Sequence, residues 1–269
     1  MNIFASSASL RCWFAPLLLN RRTLMPAGAL GLAGALLAGL GAPVKAASFA
    51  LVNNWSDTQN PNGVWSYNQG NSPITVSQPL FWGQVAWSYL WFGDGAILRG
   101  SAPTGIDPFG TPVPPAHDWL PGDVMMHALS IPYGGDSTFL NVTWTSPADG
   151  IIDIAGRAWD GLIIPTRDVA WSLSVGGQTI ASRSSVFGLY RTDAAAQFSN
   201  NLLPGASLSG IPVTQGEVVR FQVATDTYYG EFVGVQEDIT LNPVPEPAVL
   251  SFVLAGLLVL AARQKRSQV

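Results

Sequence analysis

Nine tryptophans lie between residues 47 and 243, and they are the side chains of this chain best suited to hold a ligand. An indole ring offers a large apolar face that can stack on the flat face of a sugar. Trp65, Trp144 and Trp171 fall in alternating strand patterns and are expected in the core. The predicted ligand-binding candidates lie on one aromatic strand face or near predicted loops: Trp87, Trp91, Trp119, Trp159 and Asp160.

Carboxylates raise the question of catalysis, since glycoside hydrolysis uses two carboxyl groups about 5 to 9.5 Å apart. Asp160 and Glu231 are candidates, but nothing in the sequence brings a pair together. We therefore assign no catalytic residue and do not expect an enzyme. A structural calcium ion is the one cofactor considered, because calcium binds hard carboxylate oxygens. Its candidate ligands are Asp226, Glu237 and Asp238.

Composition excludes several other classes of chemistry. The only cysteine, Cys12, and the only lysines, Lys45 and Lys265, lie in the terminal segments, so residues 47–243 carry no thiol or amine nucleophile. The sequence contains no serine-hydrolase elbow, zinc-protease helix motif or phosphate-binding loop. Residues 47–243 hold 16 acidic and 6 basic side chains, and this acidic balance argues against binding to nucleic acid.

Residues 1–46 are typical of a signal peptide. Arg21-Arg22 precede an apolar run, and Val44 and Ala46 place small residues at positions −3 and −1 of a cut after Ala46. We expect export by the general secretion machinery, and the paired arginines leave the twin-arginine route open. A retained membrane anchor is the alternative interpretation of this segment.

Residues 244–269 contain three parts in order. Val244-Pro245-Glu246-Pro247 comes first, and its prolines forbid helix. An apolar run over 248–262 follows, about 22 Å long as a helix and therefore short for a comfortable membrane span. A basic cluster that is expected to stay cytoplasmic ends the segment: Arg263, Lys265 and Arg266.

These three parts closely resemble the PEP-CTERM sorting signal, which they match without gaps from Val244 to Arg266. The resemblance implies recognition of Pro245-Glu246-Pro247 by an exosortase-type membrane transpeptidase and a transient hold in the inner membrane. It also implies a Gram-negative-type envelope, often in bacteria that make exopolysaccharide. An ordinary membrane anchor is the alternative. Unrelated domains share this signal, so it assigns no activity of its own.

Residues 47–243 are expected to form one all-β domain, an antiparallel β-sandwich of jelly-roll type between an N-terminal signal helix and a C-terminal transmembrane helix. Apolar and polar residues alternate most clearly over 138–145 and 217–224. Gly176-Gly177 is a signal for a two-residue hairpin turn. Residues 101–122 are rich in proline and predict a long loop, and such loops often carry function.

Two short segments, Asn60–Tyr67 and Val142–Gly150, resemble exported bacterial proteins with galactose-binding-like or carbohydrate-binding-like jelly rolls. That resemblance implies a fold and no particular ligand. The predicted function is a non-catalytic module that binds extracellular polysaccharide at the cell surface or in the extracellular matrix. A glycan hydrolase with paired carboxylates and a structural or adhesive surface protein remain open as alternatives.

We predict that the protein isolated from its own cells begins at Ala47, because the small residues before it suit removal of the signal peptide after Ala46. Intact-mass and N-terminal peptide measurements on the envelope and culture fractions check this. A full-length chain recovered from the cytosol would contradict it.

Overall fold

The computed structural model describes residues 45–79, 85–88, 95–100, 118, 120–128, 139–161, 168–225, 231–244 and 256–257. These residues belong to a compact unit, Pro43–Val269. A separate unit, Met1–Ala42, contains most of the predicted signal peptide and lies outside the described residues.

The described residues form fourteen strands and two short 3-10 helices, Ala194–Ala196 and Phe198–Asn200. The strands, numbered in chain order, are β1 (Ala47–Ala50), β2 (Trp65–Gln69), β3 (Ser72–Pro73), β4 (Ser77–Pro79), β5 (Val85–Trp87), β6 (Ala96–Arg99), β7 (Val124–His127), β8 (Phe139–Thr145), β9 (Gly150–Asp160), β10 (Ala170–Val175), β11 (Gln178–Arg183), β12 (Ile211–Val213), β13 (Val218–Ala224) and β14 (Phe232–Pro243).

The strands build two antiparallel sheets. Sheet A has the order β12-β9-β14-β7-β6-β5-β4. β1 pairs with the part of β14 that β7 does not reach. Sheet B has the order β11-β10-β13-β8-β2-β3. The prediction of an all-β sandwich is confirmed at this level, and the described residues place one large apolar cluster between the sheets.

Alternation along the strands explains which residues enter this core. In β13, Val219, Phe221 and Val223 are buried, while the residues between them are partly exposed, as expected for side chains that alternate across a sheet. The predicted core tryptophans Trp65, Trp144 and Trp171 are indeed buried. They come from β2, β8 and β10 of sheet B.

The predicted hairpin at Gly176-Gly177 is also confirmed. Val175 of β10 pairs with Gln178 of β11, so these two glycines form the whole turn. Their φ angles are +57° and +84°, a region that glycine enters without steric cost.

Residues 189–210, which we call the seam segment, join the free edges of the two sheets. On sheet A, Asp160 N–H donates to Leu189 O at 2.9 Å and Ile154 N–H donates to Leu208 O at 2.7 Å. On sheet B, Ser182 N–H donates to Asn201 O at 3.0 Å. The seam segment therefore satisfies backbone groups that edge strands otherwise leave unpaired.

Phe198 is the side chain by which the seam segment enters the core. It is fully buried, and its ring lies 5.2 Å from the ring of Trp171 and 5.7 Å from that of Phe221. It also covers Gly156 of β9, where any Cβ would collide with this ring and with the backbone oxygen of Gln236. A glycine at position 156 is thus required by the close approach of Phe198.

Among the residues that the structure describes, no helix has the length and apolar character needed to cross a membrane. Of the predicted transmembrane helix over 248–262, only Gly256 and Leu257 are described, and both are helical. The rest of that segment lies outside the described residues.

We predict that Phe198→Ala lowers the free energy of unfolding by about 3 to 5 kcal/mol, because the truncation leaves a cavity between the sheets. Phe187→Ala is the matched control, since Phe187 is 46% exposed and surface substitutions usually change stability by about 0.5 kcal/mol or less. Urea denaturation followed by tryptophan fluorescence measures both. Equal effects of the two substitutions would contradict the role assigned to Phe198.

Candidate functional site

The most elaborate polar arrangement in the described part of the chain lies on the outer face of sheet A, away from the core between the sheets. Trp159 of β9 pairs with Gly234 of β14, and a Cβ at Gly234 would collide with the indole. The indole therefore covers the backbone of β14 at Gly234. The guanidinium carbon of Arg191 then lies 4.5 Å from the centroid of the Trp159 ring, a cation–π contact.

Two carboxylates complete the layer above the indole. Arg191 donates through Nε to Asp118 Oδ1 at 3.3 Å and through Nη1 to Asp123 Oδ1 at 3.0 Å, and Nη2 bonds Asp123 Oδ2. The Asp118 backbone oxygen accepts from Trp159 Nε1 at 2.7 Å and from Arg191 Nη2 at 3.0 Å. We call Asp118, Asp123, Trp159 and Arg191 the Arg191 clamp.

The clamp joins three distant parts of the chain. Asp118 and Asp123 both precede β7, Trp159 is in β9, and Arg191 comes from the seam segment. The side chains of Arg191, Asp118 and Asp123 are only 18%, 19% and 14% exposed. A partly buried, bidentate arginine contact is stronger and more rigid than an ordinary surface pair.

Two exposed apolar side chains flank the clamp. Tyr190 precedes Arg191 and is 43% exposed, and Leu120 follows Asp118 by two residues and is 46% exposed. Their backbones are fixed, because Tyr190 N–H donates to Asp193 Oδ2 at 2.8 Å and Leu120 N–H donates to Asp123 Oδ2 at 2.6 Å. The result is an exposed aromatic residue next in the chain to a fixed set of polar groups.

The structure buries two of the predicted ligand candidates. Trp87 is 3% exposed and its Nε1 donates to Ser56 O at 2.9 Å, while Trp159 is 1% exposed beneath Arg191. As the domain stands, neither ring presents a free face, because neighbouring chain covers each one. The other two tryptophan candidates, Trp91 and Trp119, lie outside the described residues.

Asp160 is buried as well, and the register brings it near another carboxylate. It pairs with Val233, and Glu231 lies two residues before Val233, so both side chains belong to core-facing positions at one end of sheet A. Such diagonal neighbours are about 7 to 8 Å apart. Asp160 Oδ2 accepts from Gly188 N–H at 2.9 Å and Glu231 Oε1 from Phe232 N–H at 2.8 Å. Their near-complete burial and backbone bonds favour a structural role over contact with a substrate.

Two of the three predicted calcium ligands, Glu237 and Asp238, point to opposite faces of β14. Glu237 points into the core and is 1% exposed, whereas its neighbour Asp238 lies on the opposite face of β14 and accepts from Gln236 Nε2 at 3.1 Å. Adjacent strand residues point to opposite faces, so their two carboxylates cannot bind one ion. Asp226 lies outside the described residues. Within the described ranges, no group of three His, Cys, Asp or Glu could hold a metal.

Two described residues of the predicted processing motifs, Ala46 and Val244, lie next to the first and last strands. Ala46 is exposed and directly precedes β1. Val244 follows β14 directly, is 53% exposed, and donates its N–H to Asp149 O at 3.0 Å. The remaining predicted sorting residues lie outside the described residues: Pro245, Glu246, Pro247, Arg263, Lys265 and Arg266.

A second surface feature is an open cleft of about 410 Å³ between the edge strands β11 and β12, beside residues 203–210 of the seam segment. Gln178, Thr179, Ser207 and Ser209 contribute polar groups, and the described residues that line it include no charged side chain. In a domain with a large excess of acids, this neutrality fits an uncharged ligand better than a charged one.

Sequence reasoning missed the clamp almost entirely. Arg191 and Tyr190 lie in a stretch with no strand alternation, so no periodic signal marks them. Trp159 is predicted from the sequence as a ligand candidate near a loop, whereas it lies in β9 and is 1% exposed, and its partner Asp118 lies 41 residues away along the chain. A contact of this kind becomes visible only once β7, β9 and the seam segment are assembled.

Comparison with models of known protein families gives no match, and no curated protein is significantly similar to the chain in sequence.

We predict that Arg191→Ala lowers the free energy of unfolding by about 2 to 4 kcal/mol, because it leaves two partly buried carboxylates without their cation. Arg191→Lys should recover only part of the loss, since lysine cannot reproduce the bidentate contact. Arg220→Ala, a partly exposed position on sheet B, is the control. Thermal and urea denaturation measure the stability of all three variants. Full recovery of stability with lysine would refute the importance of the bidentate arginine contact.

Proposed function

We propose that this protein is exported and displayed at the cell surface or in the extracellular matrix, where it binds extracellular polysaccharide without catalysing a reaction. On this proposal an exosortase-type transpeptidase sorts it through the Pro245-Glu246-Pro247 segment. The general secretion or twin-arginine machinery exports it, and the tail holds it briefly in the inner membrane. The sandwich is proposed to be of the jelly-roll type.

The positions of the chain ends support the export and sorting part of the proposal. Ala47, the first residue after the predicted cut, pairs with Leu241, which lies three residues before the sorting motif begins at Val244. Removal of residues 1–46 leaves β1 complete. Ala46 and Val244, the described residues next to the two proposed processing sites, are both exposed and lie outside the strands, where an enzyme can reach the chain.

The single observation that carries the binding part is the exposed side chain of Tyr190, the residue that precedes Arg191 of the clamp. Sugar recognition combines an aromatic face with fixed hydrogen-bonding groups, and aromatic rings bring apolar area at low entropic cost. Tyr190 supplies the ring, and Asp118, Asp123 and Arg191 supply polar groups that keep some exposure. Because the clamp is already ordered, a ligand there meets little additional ordering cost.

The same geometry favours binding over hydrolysis. Catalysis by paired carboxylates needs both groups to reach the glycosidic bond, and Asp160 and Glu231 are each 1% exposed. Asp118 and Asp123 lie closer to solvent, but both carboxylates are engaged by hydrogen bonds from Arg191.

We predict that the chain binds exopolysaccharide prepared from the bacterium that makes it, and that Tyr190→Ala weakens this binding about tenfold or more, equivalent to about 1.4 kcal/mol. Ile151→Ala is the matched control, because Ile151 is equally exposed, at 43%, and lies at the end of β9 away from Trp159 of the clamp. Affinity electrophoresis and calorimetry measure the binding.

Three outcomes would count against the proposal. Unchanged binding by the Tyr190 variant would remove the clamp surface from the site. Release of new reducing ends during incubation would favour a hydrolase. Self-association of the chain with no glycan binding would favour a structural or adhesive protein.

A further inference from the structure

Glu237 lies at the one place where β14 changes its neighbour. On one side, β14 pairs with β9 along its whole length from Val233. On the other side, Phe232–Val235 pairs with β7 and Asp238–Leu241 pairs with β1. Glu237 occupies the break between these two partners, and its backbone oxygen accepts from Leu51 N–H at 2.9 Å, just after β1 ends.

The side chain of Glu237 enters an apolar environment. It is 1% exposed, and the structure gives neither carboxyl oxygen a hydrogen-bond partner. Val235 and Ile239 flank it on the same face of β14, and both are fully buried. Across the sheet it is paired with Gly156, whose core side is covered by Phe198. A carboxylate ion without partners in such a place costs several kcal/mol.

Among the described residues, no cation pairs with Glu237, and the one charge that acts on its carboxyl is that of Asp238. On its own strand the neighbouring acid is Asp238, on the outer face, and β1 carries no titratable side chain. On β9, Arg157 directs Nη1 to Arg191 O at 3.0 Å on the outer face. On β7, His127 lies beside Phe232, also on that face. On the core-facing side of sheet B, Tyr67 is neutral because burial raises its pKa, and Arg183, opposite Trp171, donates to Asn201 Oδ1 at 3.3 Å. On β6 of sheet A, Arg99 lies opposite Val124 and is exposed.

The strand beside Glu237 is weakly held. β1 has four residues, none of them fully buried, and its strand pairing is with β14 alone. Phe49 is its main core contact, with its ring 5.5 Å from that of Trp144. Water can therefore reach Glu237 most readily by separation of β1 from β14, since β9 pairs with β14 over eleven residues and β7 is held on its other side by β6.

We propose that the neutral carboxyl of Glu237 keeps β1 in place, and that its ionisation in mildly alkaline solution releases this N-terminal strand from β14. The inference does not depend on the proposed polysaccharide binding. It assigns to Glu237 a conformational role in place of the calcium ligation suggested by its sequence position.

The direction of the pH effect follows from the position of the group. Burial, with a smaller contribution from Asp238, raises the pKa of Glu237 from 4.5 to about 8. The folded state therefore holds this proton more tightly than the open state. Stability from Glu237 is complete below about pH 4.5 and is lost as the pH rises towards 8, at about tenfold in the opening equilibrium per pH unit. Above the folded-state pKa no further loss is expected.

Hydrogen exchange of the full chain tests the proposal, with Glu237→Gln as the neutral variant of similar shape. Both proteins are compared at each pH from 5 to 9, which cancels the intrinsic pH dependence of amide exchange. The peptide over residues 47–52 should exchange progressively faster in the wild-type chain relative to the variant as the pH rises. A peptide from β13 should show a much smaller change. Parallel exchange of residues 47–52 in both proteins at every pH would overturn the proposal.

A second measurement keeps the test decisive if the glutamine variant folds poorly. Asp238→Asn, on the outer face, removes a neighbouring negative charge that raises the pKa of Glu237, so the pH-dependent rise in β1 exchange should level off at lower pH and reach a smaller total. The ¹³C carboxyl resonance of Glu237 in the wild-type chain should titrate well above the ordinary glutamate range. A normal titration midpoint would refute the proposal regardless of how either variant behaves.

Discussion

The pairing of β9 with β14 is the interaction on which the rest of the domain depends. Eleven residue pairs join these two strands, from Val233 opposite Asp160 to Pro243 opposite Gly150. Every other strand of sheet A pairs with one of these two strands or connects to them through intervening strands. Because side chains alternate across a strand, this one register also decides which residues face the core and which face outward.

The outer face of that ladder carries the candidate site, and the inner face carries the buried acid. Trp159 lies outward on Gly234 and supports Arg191. Glu237 lies inward opposite Gly156, and the ring of Phe198 covers that glycine. In both places a glycine accepts an aromatic ring from elsewhere in the chain. A shift of the register by one residue would exchange these environments, exposing the apolar residues and destroying both features.

The seam segment links the two faces in a single stretch of chain. Arg191 holds the outer layer, and Phe198, seven residues later, fills the core. The clamp and the core therefore share one covalent support, so loosening of the seam segment should affect both. This coupling explains how a candidate binding surface on an irregular segment can remain ordered, since it is fixed to a ladder on one side and to packed aromatic rings on the other.

Much of the sandwich was predictable, for identifiable reasons. The strand over 138–145 and the strand over 217–224 alternate clearly and match β8 and β13 closely. The Gly176-Gly177 turn needs backbone angles that few other residues adopt, so its position was predictable too. β1 and β12 were missed because strands of three or four residues are too short to show a period.

The sequence alone determined the strand-rich class of the domain, the turn between β10 and β11, and the tryptophans of sheet B that enter the core. These follow from local alternation and from backbone preferences, which depend only on neighbouring residues. Tertiary structure alone decided that Trp159 is covered by Arg191, that Glu237 and Asp238 point apart, and that Tyr190 remains exposed. Each of these depends on strand register or on contacts between segments tens of residues apart, and no local pattern records them.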